Sequence, residues 1–406
     1  MRVAYLNPSG QIGGAEACLL DLLASVREAE PGWPLRLIVA SEGPLVSKAR
    51  ALGVTTTVVP YPPLLARLGD AGTRGSGARH MDRIVLLQKL LSAGPAVVTY
   101  VRRLRCALNE FAPDVLHTNG FKMHILGLWS RPRQIPVIWH VHDYVRPRPI
   151  MTRMLRRYAR HCSAVVANSR SVADDVQSLC GDGVRVHPVH NAIDLQRFSP
   201  TGPALDLDAL AGLPQAEAGI VKVGLIATMG FWKGHSVFLE ALAMLPLSLA
   251  VRGYIIGGAL YETDGSQYAV DELRRLAARL GISHKVGFTG FVEEPDAAMR
   301  ALDIVVNAST QPEPFGLVIL EGMACGRAVI ASQVGGAAEI MTAGRDAMAH
   351  APGDAASLAE SIIRLATDAD LRARLGKAGR ATAERHFDRA RLATDLIPIY
   401  REVKRL

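Results

Sequence analysis

Short apolar runs alternate with longer helical stretches from one end of this chain to the other. This alternation constrains the fold more than any other feature. A strand, a crossover helix and a second strand build a parallel sheet with helices on its faces. In the first half, strands are expected at Arg2 to Asn7, Leu35 to Ala40, Thr56 to Val59, Asp114 to His117, Pro136 to Val141, Ala164 to Ala167 and Val184 to Val189. Gly10 to Gly14 reads as a loop, and Ala15 to Arg27 as a helix. In the second half, strands are expected at Val221 to Ala227, Tyr254 to Ile256, Val286 to Thr289, Ile304 to Asn307 and Ala328 to Ala331. The two halves read as separate Rossmann-like α/β domains.

The length of 406 residues suits two domains, each large enough for its own core. Ser199 to Ala218 is rich in Pro, Gly, Ala and Asp and lacks apolar periodicity, so it reads as the linker. The expected division is 1–198, a linker at 199–218, and 219–391, followed by a last helix at 392–406. Leu64 to Gly94 interrupts the alternation. Its centre, Gly69 to Gly77, reads as a flexible loop, a place for acceptor contacts or a plain surface excursion.

The formal net charge is +8, and much of the basic excess lies in the first half, including Arg102, Arg103, Arg105, Arg153, Arg156, Arg157 and Arg160. Aromatic platforms and reader motifs are not visible, which argues against nucleic acid. An anionic membrane surface or a phosphorylated acceptor suits the basic stretches better, with a solvated basic face as the alternative. Cys18, Cys106, Cys162, Cys180 and Cys325 are odd in number and scattered. That pattern points to reduced thiols and a cytoplasmic location, with peripheral membrane contact at the inner face as a further reading. No charged-then-apolar leader opens the sequence, and the nearest apolar run, Ile84 to Val101, is broken by Gln88, Lys89, Gly94 and Pro95.

The segment running from Glu313 through Pro314, Phe315, Gly316, Leu317 and Val318 to Glu321 carries the densest chemistry. The order Pro, Phe, Gly reads as a turn opening a helix. The amides of Gly316, Leu317 and Val318 would then form a phosphate site at the helix N-terminus. Read as two helical turns, the step from Glu313 to Glu321 covers roughly 12 Å. That span would let one carboxylate reach the sugar and the other the ribose of a nucleotide-sugar. A carboxylate accepts paired hydrogen bonds from vicinal hydroxyls. In the first half, His140 and His142 share one face of a strand, and His142 lies nearer its C-terminal end, where open α/β sheets bind ligands. Gly13 and Gly14 close the first strand-to-helix turn, but the loop does not match the dinucleotide pattern.

The Glu313–Glu321 segment resembles the two-glutamate motif of the retaining glycosyltransferases of family 4, which have the GT-B fold. The resemblance recurs in order at Gly13-Gly14, His140-Val-His142-Asp143, Asn191-Ala-Ile-Asp194, Lys233-Gly234-His235, Phe288-Thr-Gly290-Phe and Val334-Gly335-Gly336. It implies two Rossmann-like doubly wound domains facing across an interdomain cleft, with the last helix at 392–406 returning to the first domain. It also implies a nucleotide-sugar donor, with UDP as the first choice, and a hydroxyl acceptor. His142 would contact the transferred sugar, with His140 as the runner-up. Glu313 would bind sugar hydroxyls and Glu321 the ribose. Lys233 and the turn from Phe315 to Val318 would hold the diphosphate, and backbone near Val292 the base. Gly13 and Gly14 would lie by the phosphates and acceptor, with His117 and Asn119 on the acceptor side. The family usually has an arginine five residues before this lysine, and Thr228 stands there instead. No metal or other cofactor is expected. Asp206-Leu-Asp208 and Asp368-Ala-Asp370 match a metal-binding spacing but fall in the linker and in a C-terminal helix, which points to chance. An epimerase, a phosphorylase or a weakly active partner subunit on the same fold are the alternative functions.

Overall fold

The computed structural model describes residues 1–62, 80–258 and 267–405, with the backbone alone along 80–93 and at 182. The chain forms two compact units: Met1–Ala192 together with Arg389–Leu406, and Ile193–Asp388. The division therefore falls before the expected linker. Residues 199–218 lie inside the second unit, where Leu207–Ala211 is a short helix capped by Asp206, with Leu207 fully buried. Composition alone hid that one apolar anchor.

The first unit holds strands β1 (Val3–Asn7), β2 (Leu35–Val39), β3 (Thr55–Val58), β4 (Val115–Asn119), β5 (Val137–Val141), β6 (Ala164–Ala167) and β7 (Val186–Pro188). They form one sheet in the order β3-β2-β1-β4-β5-β6-β7, and every pairing is parallel. Strands β1, β4 and β5 are buried along their whole length, as expected for a sheet covered on both faces. On one face, the helix Gly14–Ala29 buries Leu19, Leu22, Leu23 and Val26 at helical spacing. The last helix, Ala390–Arg405, adds Leu392, Leu396, Ile399, Tyr400 and Val403 to the same cluster. Each such side chain contributes about 1.5–3 kcal/mol on burial. The helices His80–Phe111 and Phe121–Ser130 supply the opposite face. Of the expected insertion, residues 64–79, including the glycine-rich loop, lie outside the described residues.

The second unit holds β8 (Val221–Ile226), β9 (Val251–Ile256), β10 (Val286–Gly290), β11 (Ile304–Asn307), β12 (Ala328–Ser332) and β13 (Met348–His350) in the order β10-β9-β8-β11-β12-β13, again all parallel. The three-residue β13 was not expected, being too short to show a period. Both sheets are doubly wound, and each reverses direction once. The switch points lie between β1 and β4 and between β8 and β11, where open parallel sheets bind ligands beyond the C-terminal strand ends. All five cysteines are free thiols. Among the described residues, no helix is long and apolar enough to cross a membrane.

Candidate functional site

In the second unit, the loops after β8 and β11 meet at the switch point. After β8 the chain makes a single 3-10 turn, Phe231–Lys233, and then Gly234 at φ +74°. A Cβ on Gly234 would lie 1.9 Å from the carbonyl oxygen of Ala308. Only glycine lets this loop press against the end of β11. The approach brings Lys233 Nζ to 2.7 Å from Glu313 Oε1. Asn307, the last residue of β11, donates to the same carboxylate at 3.3 Å, and so does the Ser309 hydroxyl. The Glu313 backbone carbonyl accepts from the Gly336 amide at 2.7 Å, which ties the loop to the turn after β12. Glu313 is only 5% exposed. Burial works to raise its pKa, but Lys233 and the Ser309 and Asn307 donors outweigh it and hold the carboxyl below its usual value. Glu313 is thus a buried, ionised carboxylate with a lysine cation as its partner.

The helix Leu317–Ala324 starts beside this pair. Gly316 caps it at φ +105°, and the Ile319 amide bonds back to the Gly316 carbonyl. The Leu317 and Val318 amides therefore belong to the first turn, where no intrahelical acceptor exists. Glu321 is the fifth residue of this helix, not the end of a two-turn run from Glu313. The residues from Glu313 to Gly316 are loop, so the 12 Å estimate overstates the helical rise between the two carboxylates. Burial pushes the Glu321 carboxyl up to about 7, with Arg197 opposing the rise and Asp296 adding to it. Phe315 corrects another expectation. Its side chain is buried in the core against Phe387, so only its backbone could face a ligand. Val292 sits in the loop after β10, half-buried, on the same C-terminal edge of the sheet. Thr228 is half-buried in the loop after β8.

The first unit gathers its polar residues at its own switch point. Gly13 precedes the helix Gly14–Ala29, and its amide donates to Glu16 Oε2 at 3.1 Å. Gly14 is the first, exposed residue of that helix. Asn7 ends β1, Asn119 ends β4, and His142 follows β5. Their side chains form a row: Asn7 Nδ2 to Glu16 Oε1 at 3.2 Å, Asn119 Nδ2 to Asn7 Oδ1 at 3.0 Å, and His142 Nε2 to Asn119 Oδ1 at 2.6 Å. Burial lowers the His142 pKa to about 4. The imidazole is therefore neutral near pH 7.

His117 and His140 sit deeper than expected. His117 is fully buried, with Nε2 at 3.1 Å from His140 Nδ1 and Nδ1 at 2.9 Å from the Tyr400 hydroxyl. It backs the site instead of lining the acceptor side. His140 is also buried, and its ring lies 4.0 Å from that of His142, centroid to centroid. Burial, followed by the neighbouring His142, keeps both rings well below the usual histidine range. Sequence reading missed Asn7, Glu16, Asn307, Ser309 and Tyr400. The available signal was an asparagine ending a strand just ahead of a loop, at both Asn7 and Asn307.

The two metal-like spacings have structural uses. Asp206 caps the Leu207–Ala211 helix, and Asp368 caps Ala369–His386. Asp208 is buried and bonded to Tyr254, Arg252 and Lys222, and these donors overcome burial to hold its carboxyl well below the usual range. Among the described residues, no three His, Cys, Asp or Glu side chains are grouped to hold a metal ion.

Two family patterns and several known proteins are similar to this chain. The pattern of the family described as Glycosyltransferase Family 4 matches residues 12–197, and that of Glycosyl transferases group 1 matches residues 219–382. A D-inositol 3-phosphate glycosyltransferase of Xylanimonas cellulosilytica is 33% identical over 71% of this chain and 71% of its own length. A transferase of the same name from Streptomyces bingchenggensis is 32% identical over 59% of this chain but only 53% of its own length, so that match spans about half of the relative. Among solved structures, Anabaena HepE in complex with UDP-glucose superposes with a TM-score of 0.78 at 25% identity, covering 99% of this chain and 100% of that one. With its two doubly wound sheets and the Lys233–Glu313 pair at the second switch point, this chain belongs to the family 4 glycosyltransferases of the GT-B fold.

Proposed function

We propose that the chain is a retaining transferase that moves a sugar from a UDP-linked donor to a hydroxyl acceptor. The observation that carries this reading is the Lys233–Glu313 pair beside the N-terminal amides of the Leu317–Ala324 helix. Dipole, amides and lysine together suit a diphosphate, with no metal invoked. Glu313 is an ionised acceptor for sugar hydroxyls, Glu321 an acceptor for the ribose, and the backbone near Val292 a partner for the base. His142 contributes a neutral imidazole for a sugar hydroxyl. In the reaction, the bond from the anomeric carbon to the diphosphate oxygen breaks, and a bond to the acceptor oxygen forms on the same face. The acceptor proton passes to the leaving phosphate. Lys233 offsets the charge that develops there. Gly13 and Gly14 are the acceptor-side residues, and the buried Asn119 acts behind them through His142. Relatives named for inositol 3-phosphate make a phosphorylated polyol the first acceptor to try. The solved UDP-glucose complex of HepE favours UDP over other nucleotides.

Thermal unfolding against UDP, GDP and ADP tests the donor assignment. A ligand at about 100 times its Kd stabilises by roughly 2.7 kcal/mol. UDP is expected to raise the midpoint well beyond GDP or ADP. Equal shifts, or none, would remove the UDP assignment. With a turnover partner in hand, NMR of the product should show the donor's anomeric configuration kept; an inverted product would remove the retaining mechanism.

A further inference from the structure

The polar row of the first unit has a direction, and the direction can be derived. Asn7 Nδ2 lies 2.7 Å from the backbone carbonyl oxygen of Ser9. A carbonyl oxygen only accepts, so the amide must turn its NH2 group there. The same NH2 reaches Glu16 Oε1. Asn7 Oδ1 is therefore committed to Asn119, and only the Asn119 NH2 can meet it at 3.0 Å. That leaves Asn119 Oδ1 facing His142 Nε2 at 2.6 Å. An oxygen acceptor at that distance requires a proton on Nε2. A neutral imidazole carries one N–H, so Nδ1 is bare. Nδ1 is buried and has no hydrogen-bond partner among the described residues. The other close neighbours do not change this assignment. Asn168 donates to the His142 backbone carbonyl, and His140 lies tilted beside the ring and bonds instead to His117.

We propose that Glu16, Asn7 and Asn119 are positioning residues that lock His142 in its Nε2–H tautomer, so that a ligand hydroxyl reaching the covered Nδ1 must donate to it. The ligand half of this inference rests on reading His142 as a sugar-contacting residue, whereas the tautomer half follows from the Ser9 carbonyl and the neutral, buried ring. The anchor is local in sequence, since Ser9 and Glu16 flank the Gly13-Gly14 loop. The loop thus sets the hydrogen-bonding character of a histidine two strands away in the sheet.

The test is long-range proton–nitrogen NMR on the full chain labelled with 15N-histidine, with His142 assigned by its loss in His142→Gln. The expected wild-type spectrum shows a protonated Nε2 and a bare Nδ1. Asn119→Asp keeps the acceptor oxygen and is expected to keep the tautomer. Asn119→Leu removes it and is expected to give an averaged pair of nitrogen shifts. A wild-type ring protonated on Nδ1, or a tautomer unchanged in a folded Asn119→Leu, would overturn the relay. If Asn119→Leu does not fold, the wild-type spectrum still decides the tautomer: a bare Nδ1 supports the relay and a protonated Nδ1 overturns it. The ligand half is read from turnover of UDP-sugars against their deoxyfluoro analogues, which accept weakly but cannot donate. Wild type is expected to prefer the hydroxyl at one ring position at least tenfold, and a folded Asn119→Leu to lose that preference. The expected tautomer without any such preference would overturn the sugar-contact reading of His142 while leaving the relay intact.

Discussion

Glu313 separates stability from turnover in a way a single substitution pair can expose. Glu313→Ala leaves Lys233, itself about one-quarter exposed, without its carboxylate, and the Ser309 and Asn307 donors without their acceptor. Breaking such a pair is expected to cost roughly 2–3 kcal/mol, since Lys233 retains some water. Glu313→Gln keeps an oxygen for the same donors and is expected to cost about 1 kcal/mol. Both are expected to lower kcat by about 100-fold or more, because the charge that orders sugar and lysine is gone from each. Urea midpoints and kcat on the same samples make the comparison, and a Gln variant with wild-type turnover would remove Glu313 from the reaction. At this scale the sequence was informative where chemistry is local. Glu313 and His142 could be singled out from their loop and strand-end contexts, and Lys233 and Asn119 from the family resemblance. His117 was placed too near the acceptor because burial depends on what packs above it, here Tyr400, which is remote in sequence. Asn7 and Glu16 were overlooked because their use appears only when β1 and β4 lie side by side.

The Leu317–Ala324 helix shows what was legible of an element and what was not. Its start could be placed from the Pro-Phe-Gly turn, and the strands on either side from their apolar runs. The four loop residues ahead of it could not be told from a helical turn, so the helical part of the step between the glutamates was overestimated. The helix also gives Glu321 an unusual titration. Its folded-state pKa, about 7, lies above the ordinary 4.5. The stability contributed by the neutral carboxyl is therefore complete below about 4.5 and is lost as pH rises through 7. A ribose bound by the ionised form works the other way, so UDP binding is expected to release a proton and to weaken as pH falls below 7, by up to about tenfold per pH unit. The phosphates of UDP also titrate in this region. The control is Glu321→Gln, in which only their share of the pH dependence should remain. Calorimetric titration between pH 6 and 8 in buffers of different ionisation enthalpy measures both, and identical proton release in the two proteins would remove Glu321 from the ribose.

The whole chain is divided unequally with respect to its ends. Ile193–Asp388 is continuous, with its sheet and core built from its own residues. The other unit is not. Its cluster around Leu19, Leu22 and Leu23 is completed by Leu392, Leu396, Ile399, Tyr400 and Val403 of the last helix, and Tyr400 also caps the buried His117. Removing five such side chains at about 1.5–3 kcal/mol each is comparable to the roughly 5–15 kcal/mol that holds a typical domain. The alternation of strands and helices made both sheets legible in sequence, and the return of the last helix was expected from the resemblance. The site of the crossing was not, because the Ser199 to Ala218 composition looks like a linker while its buried Leu207 and Asp208 secure it to the second sheet. A chain ending at Asp388 should therefore lose the cooperative unfolding of the first unit and keep that of the second. Calorimetry should show one transition in place of two, and UDP should still raise the one that remains. Loss of UDP binding in that truncated chain would mean that the donor site requires the first unit. Survival of both transitions would mean that the last helix is dispensable to the core it completes.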